Sequence, residues 1–271
     1  MIIDAHEHVM TPVSLQLQKL QTAGIDRAIL FGTTPHPERA RNFSELKEEM
    51  KVLFKILCGG ISKEANMARY ERNNLELAAL VRGHPDKFYA FGSVPTGLTQ
   101  GENGIWIEKL AQSGFKGVGE FTLSDEQICE LEPIFQVLCD FSGLCVWVHT
   151  FFPLGKNGLE ILMNLTKKYP KIPVIFGHMG RYHWMDVIDF ASVTKNAYID
   201  LSAAFSTLAL KMAISQLPEK CIFSSDAPYS EPLLCKDVEA VTSRCVKWCL
   251  EAIFYGLSAA RKARNFRSKT A

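Results

Sequence analysis

Residues 2–9 read Ile2-Ile3-Asp4-Ala5-His6-Glu7-His8-Val9. The apolar, β-branched opening predicts a strand over Ile2–Val9. Side chains alternate between faces along a strand, so His6 and His8 project from the same one. On a helix they would stand about 200° apart and could not share a ligand. Two imidazoles side by side at the carboxyl end of a strand can grip one metal ion, which ties the chemistry of this stretch to the strand reading.

Seven more apolar runs follow: Arg27–Thr33, Phe88–Val94, Phe115–Phe121, Leu144–Thr150, Pro173–His178, Ala197–Leu201 and Cys221–Ser225. Most are continuous in apolar character, the pattern of strands buried on both faces of a helix-covered parallel sheet. Between them the apolar spacing turns helical, over Glu126–Phe141, Leu159–Lys168, Trp184–Lys195 and the shorter Leu208–Leu217. Gly114 and Gly143 stand where helix stop signals belong. Strand–helix alternation through eight strands predicts an α/β fold, a (β/α)8 TIM barrel forming a single domain over residues 1–271. An open doubly wound sheet is the alternative. It would carry a glycine-rich phosphate turn after its first strand, and none is present.

The connection between the second and third strands is far longer than the others. Two helical patterns, Phe43–Leu57 and Lys63–Arg82, fill a helical insertion at about residues 38–86. An insertion on a barrel often shapes its mouth, so it is expected either to wall the site or to pack as a plain subdomain.

The 271 residues are 47% apolar, enough for a large core, and 30 basic against 29 acidic residues give a net charge of +1. That balance offers no general attraction for nucleic acid or an anionic membrane. No run approaches the roughly 18 apolar residues of a membrane span. The start of the chain has no basic-then-apolar leader, and its eight cysteines include no Cys-x-x-Cys pair. The expectation is a cytoplasmic protein with reduced thiols. Cys245 and Cys249, four apart, share a helix face. The tail at about 261–271 carries five basic residues and no acidic one, as a solvated helix end would.

Ligand-type residues gather at strand ends. The fourth strand ends in Val118-Gly119-Glu120, the fifth in Val148-His149, the sixth in Gly177-His178 and the eighth in Ser225-Asp226. Four of the seven histidines thus fall at strand ends, and in a barrel all these ends meet at one face. Four imidazoles and two carboxylates there suit zinc, or manganese, nickel or iron in the same geometry. Each residue has a plainer reading. His149 beside Trp147 could be a core histidine, Glu120 an ion-pair partner of Lys116 or Arg181, and Asp226 the cap of the turn Asp226-Ala227-Pro228. His36 and His84 read as loop and turn residues. His183, near a helix start, is not expected to ligate.

The ordered set Ile3-Asp4-Ala5-His6-Glu7-His8, His149, Gly177-His178-Met179-Gly180 and Ser225-Asp226-Ala227-Pro228 resembles the amidohydrolase superfamily of metal-dependent barrel enzymes. Within it, the amidohydrolase-related group containing aminocarboxymuconate-semialdehyde-type decarboxylases is the most similar, and Glu251-Ala252-Ile253-Phe254-Tyr255-Gly256 looks like that group's last helix. The resemblance implies that His6, His8 and Asp226 hold one metal. It further implies that His149 and His178 hold a second where one is present, with the fourth-strand acid as bridge. In a one-metal site His149 joins the first set and His178 hydrogen-bonds the water or substrate. Glu120 departs from many decarboxylase-like relatives and is similar to the acid of TatD-type deoxyribonucleases. It favours two ions, most simply zinc.

The leading expectation is a hydrolase of an amide, ester or lactone in a small molecule. Zinc lowers the pKa of bound water to about 7. A metal or His178 would stabilise the oxyanion, and Asp226 would take the water's proton and return it to the leaving group. The alternative is a lyase that releases carbon dioxide from a small carboxylic acid. A TatD-like phosphodiesterase comes third, because the near-neutral chain lacks the basic groove that phosphate backbones call for. A non-enzymatic barrel scaffold would show a broken ligand set. Arg181, whose fork can bind two oxygens, and Tyr229 are expected to contact substrate. Phe151, Phe152 and Trp184 could line an apolar pocket. Relatives often dimerise, which implies a homodimer.

Overall fold

The computed structural model describes residues 1–204 and 206–229. Its eight strands are β1 (Ile3–His8), β2 (Arg27–Phe31), β3 (Phe88–Gly92), β4 (Gly117–Phe121), β5 (Cys145–His149), β6 (Val174–Gly177), β7 (Ala197–Asp200) and β8 (Cys221–Ile222). They pair in parallel and in chain order, β1 to β8. Ala5 N donates to Phe223 O at 3.0 Å, Asp226 N to His6 O at 2.8 Å and His8 N to Ala227 O at 2.7 Å, bringing the chain after β8 back onto β1. The expected (β/α)8 barrel is the observed fold. The expected strands run one to three residues past the observed ends. Beyond β8 the backbone leaves β7 for β1, and Ser225 N donates to Asp4 Oδ1 at 3.0 Å.

The helices are α1 (Val13–Ala23), α2 (Phe43–Leu57), α3 (Lys63–Gly83), α4 (Gln100–Gln112), α5 (Glu132–Leu138), α6 (Lys156–Lys168), α7 (Trp184–Val193) and α8 (Thr207–Gln216). The single helix expected over Glu126–Phe141 is instead a 3-10 turn, Ile128–Leu131, followed by α5. Pro133 is the cause: it lacks an N–H and crowds the carbonyl four residues back, so the α-helix starts beside it. Gly114, with φ 79°, follows the end of α4 as a left-handed stop. The stretch from Glu251 to Gly256, the tail at 261–271, Cys245 and Cys249 lie outside the described residues.

Burial divides in two. One layer fills the space between barrel and helices, with Leu30, Ile107, Phe135, Leu162, Phe176 and Ile199 at its centre. A second, smaller set, Ala5, Phe31, Phe91, Trp147 and Ile175, fills the barrel itself. Phe31 and Phe91 stack at 5.2 Å and Trp147 meets Phe31 edge-on at 5.3 Å, so the interior is plugged by aromatic rings. This plug is the floor on which the polar strand ends sit. No helix among the described residues is long and apolar enough to cross a membrane.

Candidate metal centre

The six expected ligand-type side chains converge above the aromatic plug. The His6 ring lies 4.5 Å from Phe31 and 4.8 Å from Trp147. His8 Nε2 is 3.3 Å from Asp226 Oδ1, and His6 Nε2 is 3.9 Å from the same oxygen. Across the mouth, Glu120 Oε1 is 2.7 Å from His149 Nδ1 and 3.1 Å from His178 Nε2, and the two ring nitrogens stand 3.0 Å apart. The second oxygen of Glu120 faces the first group, 3.6 Å from His6 Nε2 and 3.8 Å from His8 Nε2. One carboxylate therefore touches both halves.

Strand alternation alone does not put Glu120 there. Val118, two residues earlier, packs in the outer layer, and on a regular strand Glu120 would share its face. The pairing of β4 with β5 is irregular between Val118 and Phe121, and this turns Glu120 into the barrel. Gly119 makes the irregularity feasible. Its φ is 138°, and a Cβ there would stand 2.4 Å from Trp147 O.

His178 is held from behind. Its backbone N–H donates to Asp200 Oδ2 at 2.8 Å, and its Nδ1 is 2.9 Å from Ser202 Oγ. The Ser202 hydroxyl donates to Asp200, so toward the ring it can only accept. Nδ1 then carries a hydrogen in either form of the ring, and in the neutral form that a metal ligand takes Nε2 presents its lone pair to the centre. Ser224 Oγ also donates to Asp200, which is fully buried. Asp4 does the same service for β1 and β8, accepting from His6 N at 3.1 Å and from Ser225 N. His178 and Asp226 have φ of 62° and 60°, a left-handed conformation that non-glycine residues adopt at a cost and that concentrates at functional sites.

Electrostatics couples the two halves. Burial alone would raise the Glu120 pKa, but the charges of His6 and His149 and hydrogen bonds from His149 and His178 outweigh it, holding the group well below the usual carboxylate range. Asp226 is lowered in the same way, burial being outweighed by the His8 hydrogen bond and the charges of His6 and His178. His6 is pushed up to about 9: burial opposes its charge, and Glu120 and Asp226 more than compensate.

The donor set fits a metal ion. Both ring nitrogens of His6 and Nδ1 of His8 are buried without a hydrogen-bond partner. His6 Nε2 faces its two carboxylate oxygens at 3.6 and 3.9 Å, beyond hydrogen-bond reach. Ligands at about 2.1 Å from a shared tetrahedral ion are roughly 3.4 Å from one another, and the donor separations here run from 2.7 to 3.9 Å around that value. His6, His8 and Asp226 form one cluster able to hold an ion, and Glu120, His149 and His178 another. His6, His178 and Asp200 form a third.

A cavity of about 970 Å³ opens above the centre. His8, Glu120, His149, His178 and Asp226 line its base, with Tyr229, Phe151 and Phe152 beside them and residues of α2 and α3 opposite. Tyr229 Oη is 2.9 Å from Thr33 Oγ1. Arg181 instead lies over the Phe151 ring, 4.0 Å from its centroid, and neither it nor Trp184 lines the cavity. His36 precedes a 3-10 turn, its Nδ1 2.9 Å from Glu38, and His84 packs edge-on to Phe88 at the end of α3. His183 pairs with Asp186 at the start of α7. Sequence reading passed over Asp200 and Asp4. Asp200 ends the apolar run Ala197-Tyr198-Ile199, the same signal that singled out Glu120 and His178.

An amidohydrolase family model matches residues 59–234. No curated protein matches the chain significantly. Among solved structures, 2,6-dihydroxybenzoate decarboxylase from Rhizobium is similar at 17% identity and a TM-score of 0.57, covering 89% of this chain and 90% of that one. A dihydroxybenzoic acid decarboxylase from Polaromonas, with bound manganese and the inhibitor 2-nitroresorcinol, reaches 18% and 0.56 over 84% and 86%. A 5-carboxyvanillate decarboxylase from Sphingomonas paucimobilis reaches 17% and 0.55 over 96% and 98%. At these identities the likeness speaks for the fold. The family match, which runs over more than half of the sequence, goes further: this chain belongs to the amidohydrolase family.

Proposed function

We propose that the protein is a metal-dependent, non-oxidative decarboxylase of a small carboxylic acid, with one ion held by His6, His8 and Asp226 and a second by Glu120, His149 and His178. The observation that carries the reading is a dense set of metal-ligand side chains at the base of a part-apolar cavity, on a fold shared with three decarboxylases of aromatic acids. The comparisons favour this over the hydrolysis that the motifs made the leading expectation. The same likeness leaves zinc open, since manganese is the ion named in one of these structures.

A bound divalent cation would supply positive charge that draws in the acid and polarises its oxygens. His178, with Nδ1 engaged by Ser202, would offer the Nε2 lone pair to the ion. Asp226, held as the carboxylate, would take a proton from a substrate hydroxyl or from water and give it to the carbon that loses its carboxylate. The carbon–carbon bond breaks, its electron pair stays on that carbon until the proton arrives, and carbon dioxide leaves. Phe151, Phe152 and Tyr229 restrict water around the reacting carbon.

Hydrolysis is the second reading, favoured by Glu120, whose carboxylate reaches both histidine groups as a two-ion bridge would. Incubating metal-loaded protein with benzoic and phenolic acids, and with their amides, esters and lactones, in ¹⁸O-labelled water separates the two. Carbon dioxide release with no label in the organic product is expected. Label uptake without carbon dioxide would replace decarboxylation by hydrolysis.

A further inference from the structure

Helix α2 is unusual for its length. None of its 15 residues is buried, yet Leu46, Met50, Leu53 and Leu57 form one half-exposed apolar stripe at helical spacing. That stripe lines the cavity whose base is the metal-ligand cluster. The rotation of the helix is set at its start: Asn42 caps it by accepting from Glu45 N at 3.0 Å, and Glu49 Oε2 accepts from His36 N at 2.8 Å. Across the cavity stand Leu123, Phe151 and Phe152. Apolar surface left in contact with water is unfavourable, and a contiguous patch of this kind marks a binding groove.

A volume of about 970 Å³ lies at the top of the range for ligand pockets, roughly 300–1,000 Å³, and is several times what a single-ring acid needs. We propose that the substrate is a carboxylic acid whose apolar body extends past one aromatic ring, its acid end at the histidine–carboxylate cluster and its body against the α2 stripe. This rests on the acid-processing reading above and adds the size and character of the substrate. The insertion would then act as a specificity element, and Met50 and Leu53 would set how much apolar body is accepted.

The test is binding, so it stands apart from turnover. Benzoate, naphthalene-2-carboxylate and biphenyl-4-carboxylate are titrated calorimetrically into metal-loaded wild type and into Met50→Asp and Leu53→Asp. Both changes lie on the half-exposed face of α2, and metal content together with melting temperature verifies that each variant is folded. In the wild type, biphenyl-4-carboxylate should bind at least tenfold tighter than benzoate, with the naphthalene acid between. In each variant that ratio should collapse toward one. Equal binding of all three acids by the wild type, as expected if something other than substrate fills the chamber, would overturn the proposal. So would a preference that survives both substitutions. A protein that shows the graded binding yet releases no carbon dioxide from any acid would sink the decarboxylase reading and leave this one standing.

Discussion

Glu120 Oε1 lies 2.7 Å from His149 Nδ1, although the two residues come from neighbouring strands 29 positions apart. The other oxygen of the same carboxylate looks across to His6. On the proposed reading, a side chain shared in this way decides whether the centre takes one ion or two. Wild type loaded with zinc or manganese and freed of loose ion is expected to carry close to two ions per chain. Glu120→Ala should carry close to one, kept by His6, His8 and Asp226. Elemental analysis against protein concentration reads both. A value near one in both proteins would remove the bridge and leave a single-ion site.

Ser202 should matter without touching an ion. Its hydroxyl fixes which nitrogen of His178 carries the hydrogen, and outer partners of this kind are worth about 10–100-fold in metal affinity. Ser202→Ala is expected to lose that much in a chelator competition while keeping the fold. Asp200→Ala should do more harm, because Ser202, Ser224 and the His178 N–H lose a common acceptor inside the barrel. Several unsatisfied buried groups, at about 1–3 kcal/mol each, would lower the melting temperature as well. Undiminished metal affinity in Ser202→Ala would show that the aromatic plug positions His178 unaided.

The barrel and the gathering of the six candidate side chains at its mouth were legible for one physical reason. Parallel strands covered by helices are apolar throughout, so a histidine or carboxylate at the end of such a run stands out, as at His149, His178 and Asp226. Spacing argued well for His6 and His8. It argued less well for Glu120, which reaches the centre through an irregularity that alternation does not predict. Asp200 was missed although it carries the same signal, because its job is to accept hydrogen bonds from other site residues. Arg181 was singled out for chemistry, but its partner is decided by loop conformation: it stacks on Phe151. The cavity wall supplied by α2 was foreseen only as one of two uses for the insertion, since a stripe on a helix does not say which way it faces.

Gly119 should be the most sensitive glycine in the site. Any side chain there meets Trp147 O at 2.4 Å and must adopt a φ of 138°, a conformation that costs an L residue about 1–3 kcal/mol before the clash is counted. Gly119→Ala is expected to lower the melting temperature and, by straightening β4, to withdraw Glu120 from the mouth. Metal stoichiometry should then fall as it does in Glu120→Ala. A stable variant with full metal content would show that Glu120 is positioned by its histidine partners and not by the backbone.

The thiols give a check on the barrel that does not depend on metal. Cys58, Cys129 and Cys139 are exposed, whereas Cys145 and Cys221 are half-buried. Burial raises the Cys145 pKa, and burial aided by Glu219 pushes Cys221 from 9.0 up to about 12. The thiolate is the reactive form. In native protein at pH 8, iodoacetamide followed by peptide mass spectrometry should therefore mark Cys58, Cys129 and Cys139 well before Cys145 and Cys221, while unfolded protein should show no such order. The sign for stability follows from the same shift. A group whose pKa is raised in the fold favours folding below its unfolded value, here 9.0, and that contribution is lost as pH climbs toward about 12. Replacing Cys221 by Val removes the ionisable group and should flatten the fall in melting temperature above pH 9. Labelling of Cys221 as fast as that of Cys129 in folded protein would mean that β8 opens at its start, and with it the strand that carries Asp226 to the centre.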